Sequence, residues 1–320
     1  EESRDRLRSG NRSDQQSLEV STWGMNAVAS RETADLGVFT AGLDWSHDDV
    51  GSESSQNPVQ GPVADRSSYD WAGIYLQNRY AISAALDLTT GIRLGYFRAD
   101  AGRVLDPLSH SAYSYSNDWA EPVANIRLGW TLQPESVLVF AGISQGFRAP
   151  NLSDLTRFDS ARSNEFEVPS TDLEPEKYTS YELGGRWQGP TFRVEGALFL
   201  TDIEDQVTRQ LTGNSNDDGE LEVTKTNAAD GELYGVELKG HWQFLPAWSV
   251  FGHYAYLNGK LSVEGTGGGA DSSDKPSRLM PTNYRLGLRH DHDSPRPWWV
   301  ETELMVAEEA GRLSERDALD

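Results

Sequence analysis

Between Val236 and Phe244 the chain reads VELKGHWQF. Val236, Leu238, Gly240, Trp242 and Phe244 fall on one side of a two-residue repeat, and Glu237, Lys239, His241 and Gln243 on the other. That period marks an extended strand with one apolar and one polar face, because successive side chains in a strand point to opposite sides of the sheet. The same alternation recurs in NIRLGWTL from Asn125, FRVEGALFL from Phe192, NYRLGLRH from Asn283 and WVETELMV from Trp299. No comparable length carries the i, i+3, i+4 spacing of an amphipathic helix. The pattern predicts twelve strands, over 18–30, 36–47, 70–81, 85–101, 119–132, 136–149, 177–188, 192–209, 220–244, 248–262, 282–292 and 298–312.

The connections predicted between them alternate strictly. Short turns at 31–35, 82–84, 133–135, 189–191, 245–247 and 293–297 take turns with long polar loops at 48–69, 102–118, 150–176, 210–219 and 263–281. Antiparallel strands joined in sequence order place odd connections at one rim and even ones at the other, so the alternation points to an all-β, up-and-down antiparallel barrel. In outer-membrane barrels the short turns are periplasmic and the long loops extracellular. Trp71, Trp119, Trp130, Trp187, Phe244, Trp248, Trp298 and Trp299 lie near strand ends, where aromatic girdles would meet the membrane surfaces. The whole of 1–320 is expected to form one barrel domain.

Composition narrows the function classes. A formal net charge of −22 over 320 residues opposes a nucleic-acid partner, which requires a basic surface. With no cysteine there is no disulfide, thiolate nucleophile or thiolate metal site. No apolar run reaches the about 18 residues of a membrane-crossing helix, a test to which barrel strands are blind. The first residues, EESRDRLRSGNRSDQQ, contain no apolar signal segment, as expected of a chain that starts within a longer protein or has been processed.

One set of motifs goes further. SQGFRAPNLSDL (Ser144 to Leu155) ends an apolar strand in Gly146, Phe147, Arg148, Ala149 and Pro150; Leu173, Pro175 and Glu176 then open a segment that runs into Tyr181, Glu182 and Gly184. ALFLTDIEDQV follows from Ala197, and NAADGELYGVE carries Asn227, Gly235 and Glu237. In order and spacing these segments resemble the C-terminal half of a TonB-dependent outer-membrane receptor. Pro150 agrees with that reading on its own terms, since it cannot donate to a ladder and so stops a strand. The resemblance implies a 22-stranded barrel filled by an N-terminal plug that contacts the TonB complex; here the plug is absent and the twelve strands would be eight to nineteen of the set. It also implies uptake of a large scarce nutrient, foremost an iron chelate such as a siderophore and less so haem, through the lumen of a barrel set in outer-membrane lipid.

The candidate ligand contacts are Tyr113, Tyr115 and Trp119 in or beside one long loop, Phe158 and Phe166 in another, and Arg148, whose alternative role is an ion pair that anchors wall or loop. No catalytic constellation is present: HExxH, GxSxG and a glycine-rich phosphate loop are all missing, and no cofactor or metal site is expected. His290 and His292 share a strand face near a short turn, where a solvated wall is expected; His241 and His253 should face the polar side with Lys239. The resemblance implies, for haem receptors of the family, a histidine after the Phe-Arg-Ala-Pro box; residues 151–172 contain none, which lowers haem relative to other chelates, while His110 in another loop keeps it open. Two other classes compete: a passive barrel closed at twelve strands, as in a porin or translocator, and a soluble all-β glycan-binding protein.

Overall fold

The structure is a computed structural model, and it describes residues 2–8, 12–134, 136–161, 164–263, 272–276, 278–309 and 311. The strands are β1 (Glu2–Arg8), β2 (Arg12–Thr33), β3 (Gly37–Ser54), β4 (Asp65–Ala81), β5 (Leu86–Leu105), β6 (Ala112–Gln133), β7 (Val137–Arg148), β8 (Asp159–Ser160), β9 (Glu165–Glu167), β10 (Glu176–Gln188), β11 (Phe192–Ser215), β12 (Leu221–Leu245), β13 (Trp248–Val263), β14 (Ser272–Asp274), β15 (Asn283–His292) and β16 (Trp298–Ala307). A single helical turn, α1 (Leu152–Thr156), stands between β7 and β8. Thirteen strands follow edge to edge in the order β1-β2-β3-β4-β5-β6-β7-β10-β11-β12-β13-β15-β16. Each is antiparallel to the next, and the order is open, with β1 and β16 at its two ends: this is a partial, unclosed barrel wall.

All twelve predicted strands are present, but several run well past their predicted ends. β12 has 25 residues and β11 has 24, whereas a tilted strand crosses a bilayer in about 9–11. The excess stands above the lipid as wall. The predicted loop 48–69 therefore shrinks to 55–64, 102–118 to 106–111 and 210–219 to 216–220. Within the predicted loop 263–281, β14 pairs with β13, and 264–271 and 277 lie outside the described residues. The strand pair β1/β2 was not predicted below residue 18. Its register runs from Glu2 opposite Leu18 to Arg8 opposite Arg12, through mostly polar residues that carry no apolar alternation.

The two faces differ as the repeat requires. On one face Leu183, Leu198 and Val236 stand directly opposite one another across β10, β11 and β12, and Leu183 and Leu198 are each 53% exposed. One residue along, Gly184, Ala197 and Glu237 form the corresponding row of the other face. The apolar face is the outer, lipid-facing one. Aromatic residues close its band at the short-turn side: Trp187 meets Phe192 edge-on at 4.6 Å, Trp242 lies 5.7 Å from Phe244, and Trp248 and Trp298 flank His290 and His292. At the other side stand Trp45, Tyr96, Tyr181 and Tyr234, all exposed. From Tyr234 to Trp242 is about nine residues, the length of one crossing.

Three of the expected girdle residues belong elsewhere. Trp71 and Trp119 both stand opposite Phe97 on the inner face, and Trp299 lies beneath the Arg289 guanidinium, 4.5 Å from its centre, on the inner face as well. His290 and His292 move the other way. Alternation with the inward Arg289 and Asp291 turns them outward, and His292 stacks on Trp298 at 4.9 Å with 25° between planes, so they are part of the girdle and not of a solvated wall. His253 and Lys239 are directly opposite on the inner face, with His241 two residues along, as the repeat predicts.

Of the three family-motif glycines inside strands, Gly146, Gly184 and Gly235, the last two have a packing reason. A Cβ on Gly184 would lie 2.5 Å from Phe140 Cζ and 2.7 Å from the Gly196 carbonyl oxygen; one on Gly235 would strike Phe199 and lie 2.5 Å from the Tyr256 carbonyl oxygen. Phe140 and Phe199 are the cross-strand partners of these glycines, and each ring lies over the gap its glycine leaves.

Candidate functional site: an inner strap and the cavity beside it

Residues 149–175 do not project from the rim. Pairing between β6 and β7 ends at Asn125 opposite Ser144, while pairing between β7 and β10 continues to Arg148 opposite Glu176. The freed end of the β7/β10 pair tips into the lumen: Phe147 meets Phe97 of β5 edge-on at 5.3 Å, and Lys177 reaches to 4.0 Å from Glu121 of β6. The segment that follows crosses the lumen as a strap. Midway, its backbone adds β9 to β12 in parallel, Glu165 opposite Leu221, with Val168 N–H donating to Val223 O at 2.9 Å.

Local sequence explains the first turn. Pro150 ends the ladder, Asn151 caps α1 by accepting from Asp154 N–H at 2.9 Å, and Asp154 returns the bond by accepting from Asn151 N–H at 3.2 Å. Apolar packing then fixes the strap: Ala149, Leu152, Leu155 and Leu173 are buried against Val63, Ala99, Val104 and Trp119. Polar anchors complete it. Trp119 Nε1 donates to Leu173 O at 3.2 Å, Tyr115 Oη to Thr171 O at 2.7 Å, and Tyr69 Oη to Pro150 O at 3.1 Å. Gln60 Nε2 donates to Thr156 O at 2.8 Å and its Oε1 accepts from Leu105 N–H at 2.7 Å, tying loop 55–64 to strap and wall.

Asn227 has a comparable task. Its Nδ2 donates to Glu174 O at 2.8 Å and to Asp205 O at 2.6 Å, and its Oδ1 accepts from Glu174 N–H at 2.8 Å. One side chain thus stands in for a missing ladder rung.

An ion network runs through the strap. Arg148 donates to both oxygens of Glu176, at 2.7 and 2.8 Å, and through Nη1 to Asp154 at 2.5 Å. Asp154 also meets Lys225 at 3.0 Å; Lys225 meets Glu167 at 3.0 Å; Glu167 accepts from Arg209 at 2.7 Å. At the far end the fully buried Asp159 pairs with Arg4 of β1, which connects the strap to the opposite end of the strand order. Burying these carboxylates is costly unless each is paired and hydrogen-bonded, and each of them is paired. Burial pushes Asp154 up, but the Lys225 and Arg148 charges outweigh it and hold the carboxyl below its ordinary range. Glu176 follows the same balance, its burial outweighed by Arg148, the Tyr178 hydroxyl and Val207 N–H. Burial, reinforced by Glu176, pushes Tyr178 up to about 12.

Beside the strap is an open recess of about 480 Å³, bordered by loop 55–64, loop 106–111, the strap and loop 216–220. Phe158 and Phe166, edge-on at 4.8 Å, line it together with His110. Of the expected contact residues, the structure therefore gathers Phe158 and Phe166 at one cavity, with Phe166 largely covered. Tyr113, Tyr115 and Trp119 are strand residues of β6 engaged with the core under the strap, and Arg148 is an anchor inside the ion network. Among the described residues no group of three or more His, Asp or Glu side chains is placed to hold a metal ion.

Sequence reasoning flagged Arg148, Glu176 and Asn227 as motif residues without their partners. It missed Gln60, Asp154, Glu167 and Lys225. Only Asp154 left a local signal, the Asn-x-x-Asp capping pattern; the others pair across distances in sequence that no spacing rule covers.

A lipid-facing antiparallel wall, polar within and crossed by an inward strap at its long-loop end, defines a class: an outer-membrane barrel whose lumen is obstructed. The chain matches the family described as TonB dependent receptor-like, beta-barrel, over residues 2–305, and it belongs to that family. Its place is the outer membrane of a Gram-negative-type bacterium. It is 26% identical over 198 residues to the iron-regulated outer membrane virulence protein of Vibrio cholerae serotype O1, a match covering 58% of this chain and 27% of that protein. It is 35% identical over 86 residues to the catecholate siderophore receptor Fiu of Escherichia coli, covering 26% of this chain and 10% of that one. Among solved structures it shares its fold with the copper transporter OprC, at a TM-score of 0.78 and 17% identity over 97% of this chain and 47% of that chain. The siderophore receptor PiuA from Acinetobacter baumannii aligns at a TM-score of 0.61 and 16% identity, over 87% of this chain and 44% of that one. The chain thus spans under half the length of each of these proteins.

Proposed function

We propose that the receptor containing this barrel wall captures a chelated metal, foremost a ferric siderophore, in the cavity beside the strap and delivers it through the lumen. The observation that carries the reading is the cavity itself: an aromatic-lined recess among extracellular loops, held on a rigid wall by the strap. Binding residues belong on loops so supported. Relatives named for catecholate siderophore reception and for iron regulation support iron as the metal, and the fold shared with a copper transporter keeps the metal itself for experiment.

Release into the lumen would follow movement of a plug domain pulled by the TonB complex, with outer-membrane lipid against the apolar face. A passive pore is the competing reading, and the strap across the lumen weighs against it. The test is equilibrium binding by the full-length receptor in detergent to ferric siderophores, haem, cobalamin and copper complexes. Submicromolar binding of one chelate supports the proposal. Absence of binding combined with steady conductance of small solutes in a planar bilayer would replace it with the pore.

A further inference from the structure

The apolar cover of the lipid face is interrupted between β12 and β13. Gly240 stands directly opposite Gly252, and Val194 of β11 and Leu286 of β15 continue their row. Alternation with Leu238 and Trp242, both exposed on the lipid face, turns Gly240 outward. The glycine pair floors a recess of about 460 Å³, rimmed by Trp187, Phe192, Trp242, Val250 and Leu286. Comparable gaps are taken up by a neighbouring side chain at other glycines. Leu238 Cδ2 lies 2.7 Å from where a Cβ of Gly196 would stand on this same face, and the Phe140 and Phe199 rings cover Gly184 and Gly235 on the inner one. Gly240 has no such cover: a Cβ there would find no heavy atom of another part of the chain within 4 Å. The large rings at the rim turn to each other and leave the gap open, Trp187 to Phe192 at 4.6 Å and Trp242 to Phe244 at 5.7 Å.

We infer that this outer recess is a binding site for a phospholipid of the periplasmic leaflet, one acyl chain of which lies on Gly240 and Gly252 between Val194 and Leu286. Continuity with the lipid-facing surface sets the chemistry of the occupant, and the apolar rim gives water no partners. The leaflet follows from position: Gly240 is two residues inside Trp242 of the short-turn girdle and six from Tyr234 of the opposite one. Lipid tails are as apolar as the rim, so the gain comes from dispersion contacts. A chain seated in the recess touches protein at its floor and both sides, whereas on a convex stretch of wall it touches protein along one side. Closer to the short turns, Trp248 stands opposite His290 and His292 stacks on Trp298, so the headgroup meets indole and imidazole rings.

The experiment fills the recess with the protein's own side chain. Full-length receptor in mild detergent is titrated with phosphatidylethanolamine and with phosphatidylglycerol, and bound lipid is counted by native mass spectrometry. Wild type should retain one phospholipid, and Gly240→Phe should weaken that retention at least tenfold. Ala41→Phe, an equal enlargement two residues from the exposed Leu43 on β3, should leave it within twofold. Gly240→Val fills the recess partly and should weaken retention severalfold; it decides the matter if the phenylalanine variant does not fold. The inference is overturned if wild type retains no phospholipid, if the Gly240 variants retain it as wild type does, or if Ala41→Phe loses it equally. Retention of lipopolysaccharide or of a partner protein at the recess in place of phospholipid overturns it as well.

Discussion

Arg148 is the residue at which the strap can be tested most directly, and Arg148→Ala is the perturbation. The substitution takes two hydrogen bonds from Glu176 and one from Asp154. Glu176 keeps the Tyr178 hydroxyl and Val207 N–H, and Asp154 keeps Lys225 and Asn151 N–H. Removing one partner from an enclosed ion pair costs about 3–5 kcal/mol. Arg148 is 40% exposed on its side chain, so water recovers part of that, and about half the range, ~2 kcal/mol, is the expected cost. This corresponds to a roughly 30-fold rise in the opened population of the strap. Hydrogen exchange of the full-length receptor, read on peptides from 149–175, measures it. Arg148→Lys should fall between, since it keeps the charge and loses the fork. Arg98→Ala, which removes an exposed pair with Asp100 on another strand, should leave the strap unaffected. The reasoning is refuted if Arg148→Ala leaves strap protection within twofold of wild type. It is also refuted if the β10/β11 pair loosens as much as the strap, because Arg148 would then hold the wall and not the strap.

The network also sets a pH limit. Asp154 and Glu176 are both held below their ordinary values of 3.8 and 4.5, so they stabilise the folded strap above those values and withdraw that support as pH falls through the lower, folded ones. Strap cleavage by an acid-active protease should stay flat from neutral pH to about 5 and rise only below about 4; a rise between pH 6 and 7 would contradict this. Gly235→Ala must displace both Phe199 and the Tyr256 carbonyl, and should cost about 1–3 kcal/mol, seen as a lower denaturant midpoint for barrel unfolding in detergent. Leu198→Arg puts a charge on the lipid face and should cost about 2–4 kcal/mol for folding into lipid vesicles, whereas Ala197→Ser, one residue along on the inner face, should change it little.

How far the sequence can be read follows from where the two faces of a strand meet different surroundings. Across the lipid band Leu198 and Ala197 cannot exchange places, so alternation is enforced and all twelve crossings could be found. Above that band both faces meet water or protein, and the constraint lapses although the ladder continues. Residues 112–118, AYSYSND, pair with β5 as far as Ala112 opposite Leu105 yet look like loop, and ESRDRLR pairs with β2 with charges on both faces. The same limit explains Trp71 and Trp119. A tryptophan near a strand end belongs to the girdle only if its parity points outward, and theirs points in.

The site was legible to a different depth. The Phe-Arg-Ala-Pro segment announced a strand end; the helical turn beyond it was not predicted, although Asn151 and Asp154 carry the local capping pattern that forms it. What could not be read was that the segment turns inward. That outcome depends on β7 parting from β6 at Ser144 while it holds β10 to Arg148, and on partners 28, 55 and 72 residues apart finding one another: Arg148 with Glu176, Ser170 with Lys225, Lys225 with Ser153. A lone Arg148 in a sequence favours an ion pair that anchors wall or loop and leaves a ligand contact open. Only the carboxylates that close around it decide, and with both Glu176 and Asp154 taking its charge, the anchor is the role its surroundings support.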